Sequence, residues 1–373
     1  MGPLTGVRVI EIASLAPAPF GCMLLADLGA DVLRVERLRG SPGFAPPPGP
    51  LDRGRRSVAL DLKTPDGARA VRRLARDADV LVEGFRPGVA ERLGIGPDDL
   101  MAENPRLVYG RMTGWGQEGP LARRAGHDIN YIALAGALDP IGRAGERPHA
   151  PLNLLGDFAG GGAFLALGVV AALYERERSG RGQVVDAAMV DGASTLMSFL
   201  HGMRRAGMWD GPRGTNLLDG GAPFYDTYET ADGGHVAVGA VEPEFYALLL
   251  ERLGIDPDTV GPQLDPTGWP GTRKLFAEVF RSRTRDEWAR VFADSDACVT
   301  PVLSLWEAHE HPHNRARNAF VEIDGLVQPA PAPRFSRSVP ARPAAMDAGG
   351  RDAARTLARW GLDADEIAAL RAT

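Results

Sequence analysis

Five short runs rich in β-branched residues alternate with helical stretches over the first 112 residues, and this alternation restricts the chain to a wound α/β architecture. Residues 7–12, 31–36, 57–61, 79–83 and 107–112 read as strands. Residues 17–28 read as a helix closed by Gly29, and Thr64-Pro65 opens another as an N-cap followed by proline at the first helical position. Such units connect parallel strands, and a mostly parallel, doubly wound sheet binds ligands in the loops beyond the carboxyl ends of its strands. Functional side chains are expected in those loops.

Further along, a helix is expected over 127–138, a long apolar helix after Asp157, a strand over 183–189 and a helical stretch to about 208. The pattern then changes. Residues 224–230 and 235–241 flank Ala231-Asp232-Gly233-Gly234, a hairpin signal, and helices around 245–253, 273–281 and 286–292 follow, which together read as a smaller α+β domain. Residues 328–342 are proline-rich and read as an extended strap, with a last helix over 352–369. Residues 158–174 approach the apolar length of a membrane span. Three glycines within it, an acid before it and the polar exit Glu175-Arg176-Glu177-Arg178 assign it instead to a helix buried in a large domain.

With 373 residues, 44% hydrophobic and 24% charged, the chain has the composition of a globular protein of about two domains. A net charge of −6 provides no global field for nucleic acid or an anionic membrane. Two distant cysteines, Cys22 and Cys298, suit neither a disulfide framework nor a thiolate metal site, so a reducing, cytoplasmic setting is expected. The opening residues lack the features of a secretory signal and read as mature protein. Gly114-Trp115-Gly116-Gln117-Glu118-Gly119 matches a dinucleotide fingerprint in letters, but Pro120 and a polar loop follow where a helix should open. His309-Glu310-His311-Pro312-His313 matches a zinc-protease pattern, yet Pro312 would break the helix that must align both outer histidines, and no metal is expected.

Residues 34–92 hold twelve arginines and Lys63 against eight carboxylates, a positive excess in a negative chain. Arg37, Lys63 and Arg86 each follow a strand, where guanidinium and ammonium groups suit a phosphorylated ligand, whereas Arg69, Arg72, Arg73 and Arg76 read as a solvated helix face. Between 126 and 162, His127 stands at a helix start with Tyr131 one turn on, and Asp157 precedes three glycines. From spacing alone, Asp157 reads first as a helix cap and His127 first as an ordinary surface or core histidine.

At these residues the chain resembles the α-methylacyl-CoA racemases of the type III CoA-transferase (CaiB/BaiF) superfamily. The match runs through LADLGADVLRVER, LVEGFRPGVAERLG, AGHDINYIALAGAL, PLNLLGDFAGGG and VAVGAVEPEFY. The resemblance implies a Rossmann-like large domain from both ends of the chain, a small α+β domain, and two subunits interlocked with active sites between them. Residues 1–200 and 315–373 would form the large CoA-binding domain, 201–220 a linker, 221–308 the small domain and 309–345 a return linker. It implies a racemase acting on 2-methylacyl-CoA thioesters by proton transfer through an enolate, without a cofactor, coenzyme A being part of the substrate. His127 and Asp157 would be the acid/base pair and Glu242 would orient the imidazole across the interface. Arg37, Ala59, Lys63, Arg86, Arg92 and Tyr131 would hold coenzyme A. Two other readings stand beside it: a CoA-transferase with Asp157 as nucleophile, and an acyl-CoA carrier without chemistry. On the racemase reading, the N–H groups at the start of the Asp157 helix are expected to bind the enolate oxygen, the glycines to permit its approach, and Met189, Met197, Met203 and Met208 to receive the acyl chain.

Overall fold

The computed structural model describes residues 1–38, 49–346 and 353–371. The chain groups into two compact units, one of Met1–Ala135, Pro151–Leu196 and Ala316–Thr373, the other of Gly136–Ala150 and Met197–Arg315.

The first unit is built on six strands, β1 (Arg8–Ile12), β2 (Asp31–Glu36), β3 (Arg55–Ala59), β4 (Val80–Glu83), β5 (Val108–Thr113) and β6 (Val184–Ala188). They form one sheet in the order β3-β2-β1-β4-β5-β6 with every neighbouring pair parallel. This is the Rossmann-like α/β arrangement, and the order reverses between β1 and β4. The helices are α1 (Pro17–Asp27), α2 (Pro65–Arg76), α3 (Val89–Arg92), α4 (Pro97–Glu103) and α5 (Asp128–Leu134), then a π-helical segment (Leu154–Ala163) running into α6 (Phe164–Ser179), and α7 (Met189–Leu196). Thr64 caps α2 as its sequence suggests, its hydroxyl accepting the Gly67 N–H at 3.1 Å. α5 stops at Leu134, four residues short of the expected end, where Gly136 adopts φ +75°.

Because successive strand residues face opposite ways, the sheet divides its side chains between two cores. Ile10, Ile12, Leu33, Leu81 and Tyr109 pack with Leu74 of α2 and Trp360, while Val9, Val32, Val80, Val82 and Val108 pack with Leu25 of α1 and Leu165 and Val169 of α6. Glu11 interrupts the second face, wholly buried, and is paired to both Arg34 and the equally buried Arg55.

The long apolar helix starts earlier than expected, at Leu154, and its first ten residues are π-helical. The glycines account for its packing. A Cβ on Gly160 would lie 2.6 Å from the Ala193 nitrogen of α7, and one on Gly162 would lie 2.8 Å from the Phe20 ring of α1. The helix packs on β5 and β6 through one side, and Leu167 and Tyr174 on the other side are exposed, so it is less buried than its composition implies. At 26 residues, 154–179, it is long and apolar enough to cross a membrane by length and composition, but Leu165, Val169 and Leu173 make it a core helix of this unit.

The second unit holds α8 (Ser198–Arg205), the antiparallel strands β7 (Tyr225–Glu229), β8 (His235–Gly239) and β9 (Val299–Pro301), and helices α9 (Pro243–Leu253), α10 (Trp269–Phe280), α11 (Arg285–Phe292) and α12 (Pro312–Ala316). Its core is aromatic, with Phe224, Phe276, Phe280 and Trp288. Residues 136–150 belong to it, held by Arg143 to Asp226 at 2.6 Å and Arg213 to Asp139 at 2.8 Å. Pro312 opens α12 instead of continuing a helix from His309, so the two outer histidines of the zinc-like pattern occupy separate elements.

In the first unit, β10 (Phe320–Ile323) and β11 (Leu326–Pro329) form a hairpin where the sequence reads as linker and strap. Its two-residue loop, Asp324-Gly325, has φ of +50° and +78°, the geometry an Asp-Gly pair favours. The last segment is two helices, α13 (Ala353–Arg359) and α14 (Ala364–Arg371), because Gly361 at φ +99° ends the first; residue 352, the expected start, lies outside the described residues.

Gly160→Ala forces a methyl group against the α7 backbone, so it should destabilise the fold by about 1–3 kcal/mol in urea unfolding. Gly261→Ala, with nothing within 4 Å of the added carbon, should leave the unfolding midpoint unchanged.

Candidate active site

All six parallel strands run out at one edge of the sheet, and the loops there carry the expected residues. Arg37 follows β2, Ala59 ends β3, Lys63 precedes α2, Arg86 follows β4 and Arg92 ends α3; all five are exposed.

The arginine excess of residues 34–92 separates into two populations. Arg34 and Arg55 pair with Glu11, Arg53 with Asp27, Arg56 with Asp31, Arg72 and Arg76 with Glu103, Arg69 with Asp66 and Arg73 with Asp77. The four helix arginines expected to be merely solvated are thus surface ion pairs. Among the described residues, Arg37, Lys63, Arg86 and Arg92 form no ion pair, and their charge is available to a ligand; Arg39 lies outside the described residues.

The loop that carries Arg86 is braced from inside. Glu83, at the end of β4 and fully buried, accepts the Phe85 N–H at 2.6 Å and Arg111 Nε at 3.0 Å. Burial pushes its carboxyl up to about 7, against the pull of the Phe85 N–H and Arg111.

His127 is the N-cap of α5, exposed, and held by its own turn. Its N–H donates to Asn130 Oδ1 at 3.0 Å, and the Tyr131 hydroxyl donates to the Gly126 carbonyl at 2.5 Å. Tyr131 is buried and meets Trp115 edge to face at 4.7 Å. Its hydroxyl, expected on coenzyme A, gives its proton to this turn and keeps only acceptor capacity for a ligand, and burial with Asp157 nearby pushes it up to about 12 despite Arg86.

Asp157 is the fourth residue of the π-helical segment, partly buried, with Asn153 Nδ2 donating to its Oδ2 at 3.0 Å. The N–H groups of Gly156 and Asp157 both point at Asp128 Oδ2, at 2.6 and 2.8 Å. Glycine at 156 leaves room for this contact, since a Cβ there would lie 2.6 Å from that oxygen and push the carboxylate aside. Burial raises the Asp157 carboxyl above the usual range; Asn153 and His127 lower it and Asp128 raises it. His127 and Asp157 therefore stand within electrostatic reach of one another, 30 residues apart in sequence, on segments joined by Asp128.

Two expectations change. The Gly156 and Asp157 N–H groups are occupied by Asp128 and are not free for an enolate oxygen, and the three glycines serve contact with α1 and α7. Met189 and Met203 are core side chains, which leaves half-buried Met197 and exposed Met208 to meet an acyl chain. Glu242 is the exposed N-cap of α9 in the other unit, where its charge, after burial, raises the Cys298 thiol. Sequence reasoning missed Asp128, Asn130 and Asn153; the Asn three residues after His127 was a legible capping signal.

A raised carboxyl binds its proton more tightly folded than unfolded, so folding loses stability as pH rises from the unfolded value of about 4.5 towards 7. Glu83→Gln escapes that loss. Its melting temperature relative to the parent protein should therefore increase between pH 5 and pH 8, and a constant difference would count against the assignment.

The chain matches CoA-transferase family III over residues 4–350. It is 52% identical over 370 residues to α-methylacyl-CoA racemase of Mus musculus, covering 98% of this chain and 95% of that protein. It is also 52% identical to α-methylacyl-CoA racemase of Homo sapiens over 331 residues, 88% of this chain and 86% of that one. A crystal structure of a CaiB/BaiF family protein from Brucella suis superposes with a TM-score of 0.82 at 25% identity, over 95% of this chain and 99% of the other.

Proposed function

The chain belongs to CoA-transferase family III, and on that premise we propose that it interconverts the (2R) and (2S) epimers of 2-methylacyl-CoA thioesters. It is an isomerase. The observation that carries the reading is that His127 stands within electrostatic reach of Asp157, a carboxyl that burial raises, in the unit where Arg37, Lys63, Arg86 and Arg92 form no ion pair among the described residues.

The hydrogen beside a thioester is weakly acidic, so inversion needs a base on one face and a proton donor on the other. For one epimer neutral His127 removes the α-proton and protonated Asp157 delivers its own to the opposite face of the planar enolate. That leaves imidazolium and carboxylate, the pair that the other epimer requires. Burial of Asp157 favours the protonated form and so makes it a competent donor. Both protons travel on side chains and neither step calls for a cofactor. Arg37, Lys63, Arg86 and Arg92 would hold the coenzyme A phosphates, with Ala59 beside them leaving room at the strand end. The thiols of Cys22 and Cys298 are free, as suits the reducing cytoplasm we assign to the protein.

We further propose that the working form is a homodimer, interlocked as in its superfamily. Ile129 and Leu134 of α5, Leu154 of the π-helical segment and Leu167 and Tyr174 of α6 are exposed apolar side chains that a second subunit would cover. Glu242, on the second unit, would then orient His127 of the other subunit.

Incubating a single 2-methylacyl-CoA epimer in D₂O with no acceptor acid should give α-deuteration and a near-equal epimer mixture. His127→Ala and Asp157→Ala should each slow inversion by about 10²-fold or more with the fold retained by circular dichroism. A requirement for a free carboxylic acid would mark a transferase acting through Asp157, and binding without exchange would mark a carrier.

The dimer reading makes its own prediction. Co-expressed His127→Ala and Glu242→Ala subunits form mixed dimers with one intact site, so activity should recover to roughly a quarter of normal. A site contained within one subunit would give no recovery.

A further inference from the structure

We infer that Asp128 is a positioning residue for Asp157: its carboxylate clamps the first turn of the π-helical segment and thereby sets where the Asp157 carboxyl stands over the substrate carbon. The inference rests on the reading of Asp157 as one of the two proton carriers.

The first turn of any helix has N–H groups without intrahelical partners, and π turns hold together less well than α turns. Something outside the segment has to fix its start. Asp128 does so with a single oxygen, Oδ2, which receives Gly156 N–H at 2.6 Å and Asp157 N–H at 2.8 Å. The carboxylate is buried, 6% exposed, and hydrogen bonds to a buried charge are the strong kind. Glycine at 156 leaves room for this approach, because a side chain there would meet Oδ2 at 2.6 Å and Cγ at 2.9 Å.

Asp128 is also selective in what it holds. His127 is secured independently, through Asn130 Oδ1 and through the Tyr131 hydroxyl on Gly126. Asp157 has one other side-chain tie, the Asn153 amide at 3.0 Å. The groups that face Asp157 are Asn153, Asp128, His127 and Tyr131, with Arg86 acting on Tyr131; of these Asp128 opposes ionisation of Asp157. Asp128 thus places the carboxyl and helps keep its proton available.

The test separates inversion from exchange in the full-length protein. When Asp157 is displaced, His127 can still remove the α-proton of its own epimer, exchange it with solvent and return deuterium to the same face. Asp128→Ala should therefore slow inversion by roughly 10–10²-fold, while α-hydrogen washout from that epimer stays within about threefold of normal. Gly156→Ala, which displaces the same carboxylate, should reproduce the split. Asp128→Asn keeps an acceptor oxygen and loses the charge, so inversion should persist with its acid limb moved to lower pH.

Inversion at the normal rate in Asp128→Ala, or inversion and washout falling in parallel in Gly156→Ala, would overturn the positioning role, and an unmoved acid limb in Asp128→Asn would overturn the part its charge plays in keeping the Asp157 proton. Asp157→Asn serves as the reference. If that variant inverts normally, the reading of Asp157 itself fails; if it does not and the Asp128 and Gly156 variants show no split, only this inference fails.

Discussion

A parallel sheet covered on both faces confines chemistry to the edge where its strands end. In the first unit Val9, Val32 and Val80 are sealed under α1 and α6, and Ile10, Leu33 and Leu81 under the layer that includes Trp360. A polar group that faces either layer costs free energy unless it finds an internal partner. Glu11 shows the cost of an exception: it is fully buried and needs Arg34 and Arg55 together. The segments beyond the strand ends escape this constraint: they carry the exposed cations Arg37, Lys63, Arg86 and Arg92 and, after β5, His127.

The same constraint sorts the arginines. Three of those on strands, Arg34, Arg55 and Arg111, are held to buried carboxylates, and removing one partner of such a pair typically costs about 3–5 kcal/mol. Those beyond the strand ends, Arg37, Arg86 and Arg92, are exposed and form no ion pair among the described residues. A count of charges along residues 34–92 merges the two groups, although only the second is free to meet phosphate. Glu83 and Arg111 link the groups, because the buried pair braces the turn from which Arg86 projects.

Much of the first unit was legible because strand and helix periods are local properties. The strands of the sheet fell within two residues of their expected bounds, and the Thr64 cap formed as its sequence suggests. The Asp324-Gly325 turn is equally legible as an Asp-Gly pair, although prolines follow it closely. The glycines of 160–162 were not. A glycine states that something approaches closely and does not say what, and here the neighbours are α7 and α1, distant in sequence. The apolar content of α6 likewise could not tell its covered side from its open one.

The sequence by itself determined the parallel α/β class and the smaller antiparallel unit, since these follow from residue type and periodicity, whereas His127 and Asp157 stood out only through the family resemblance. Tertiary structure alone decided which groups are spent and which remain free: Asp128 on the Gly156 and Asp157 N–H groups, the Tyr131 hydroxyl on Gly126, and Arg37, Lys63, Arg86 and Arg92 without carboxylates among the described residues. The physical reason is that a hydrogen-bond donor or a charge is defined by type but used by contact. The contact from Asp128 to Gly156 spans 28 residues that only the folded chain brings together.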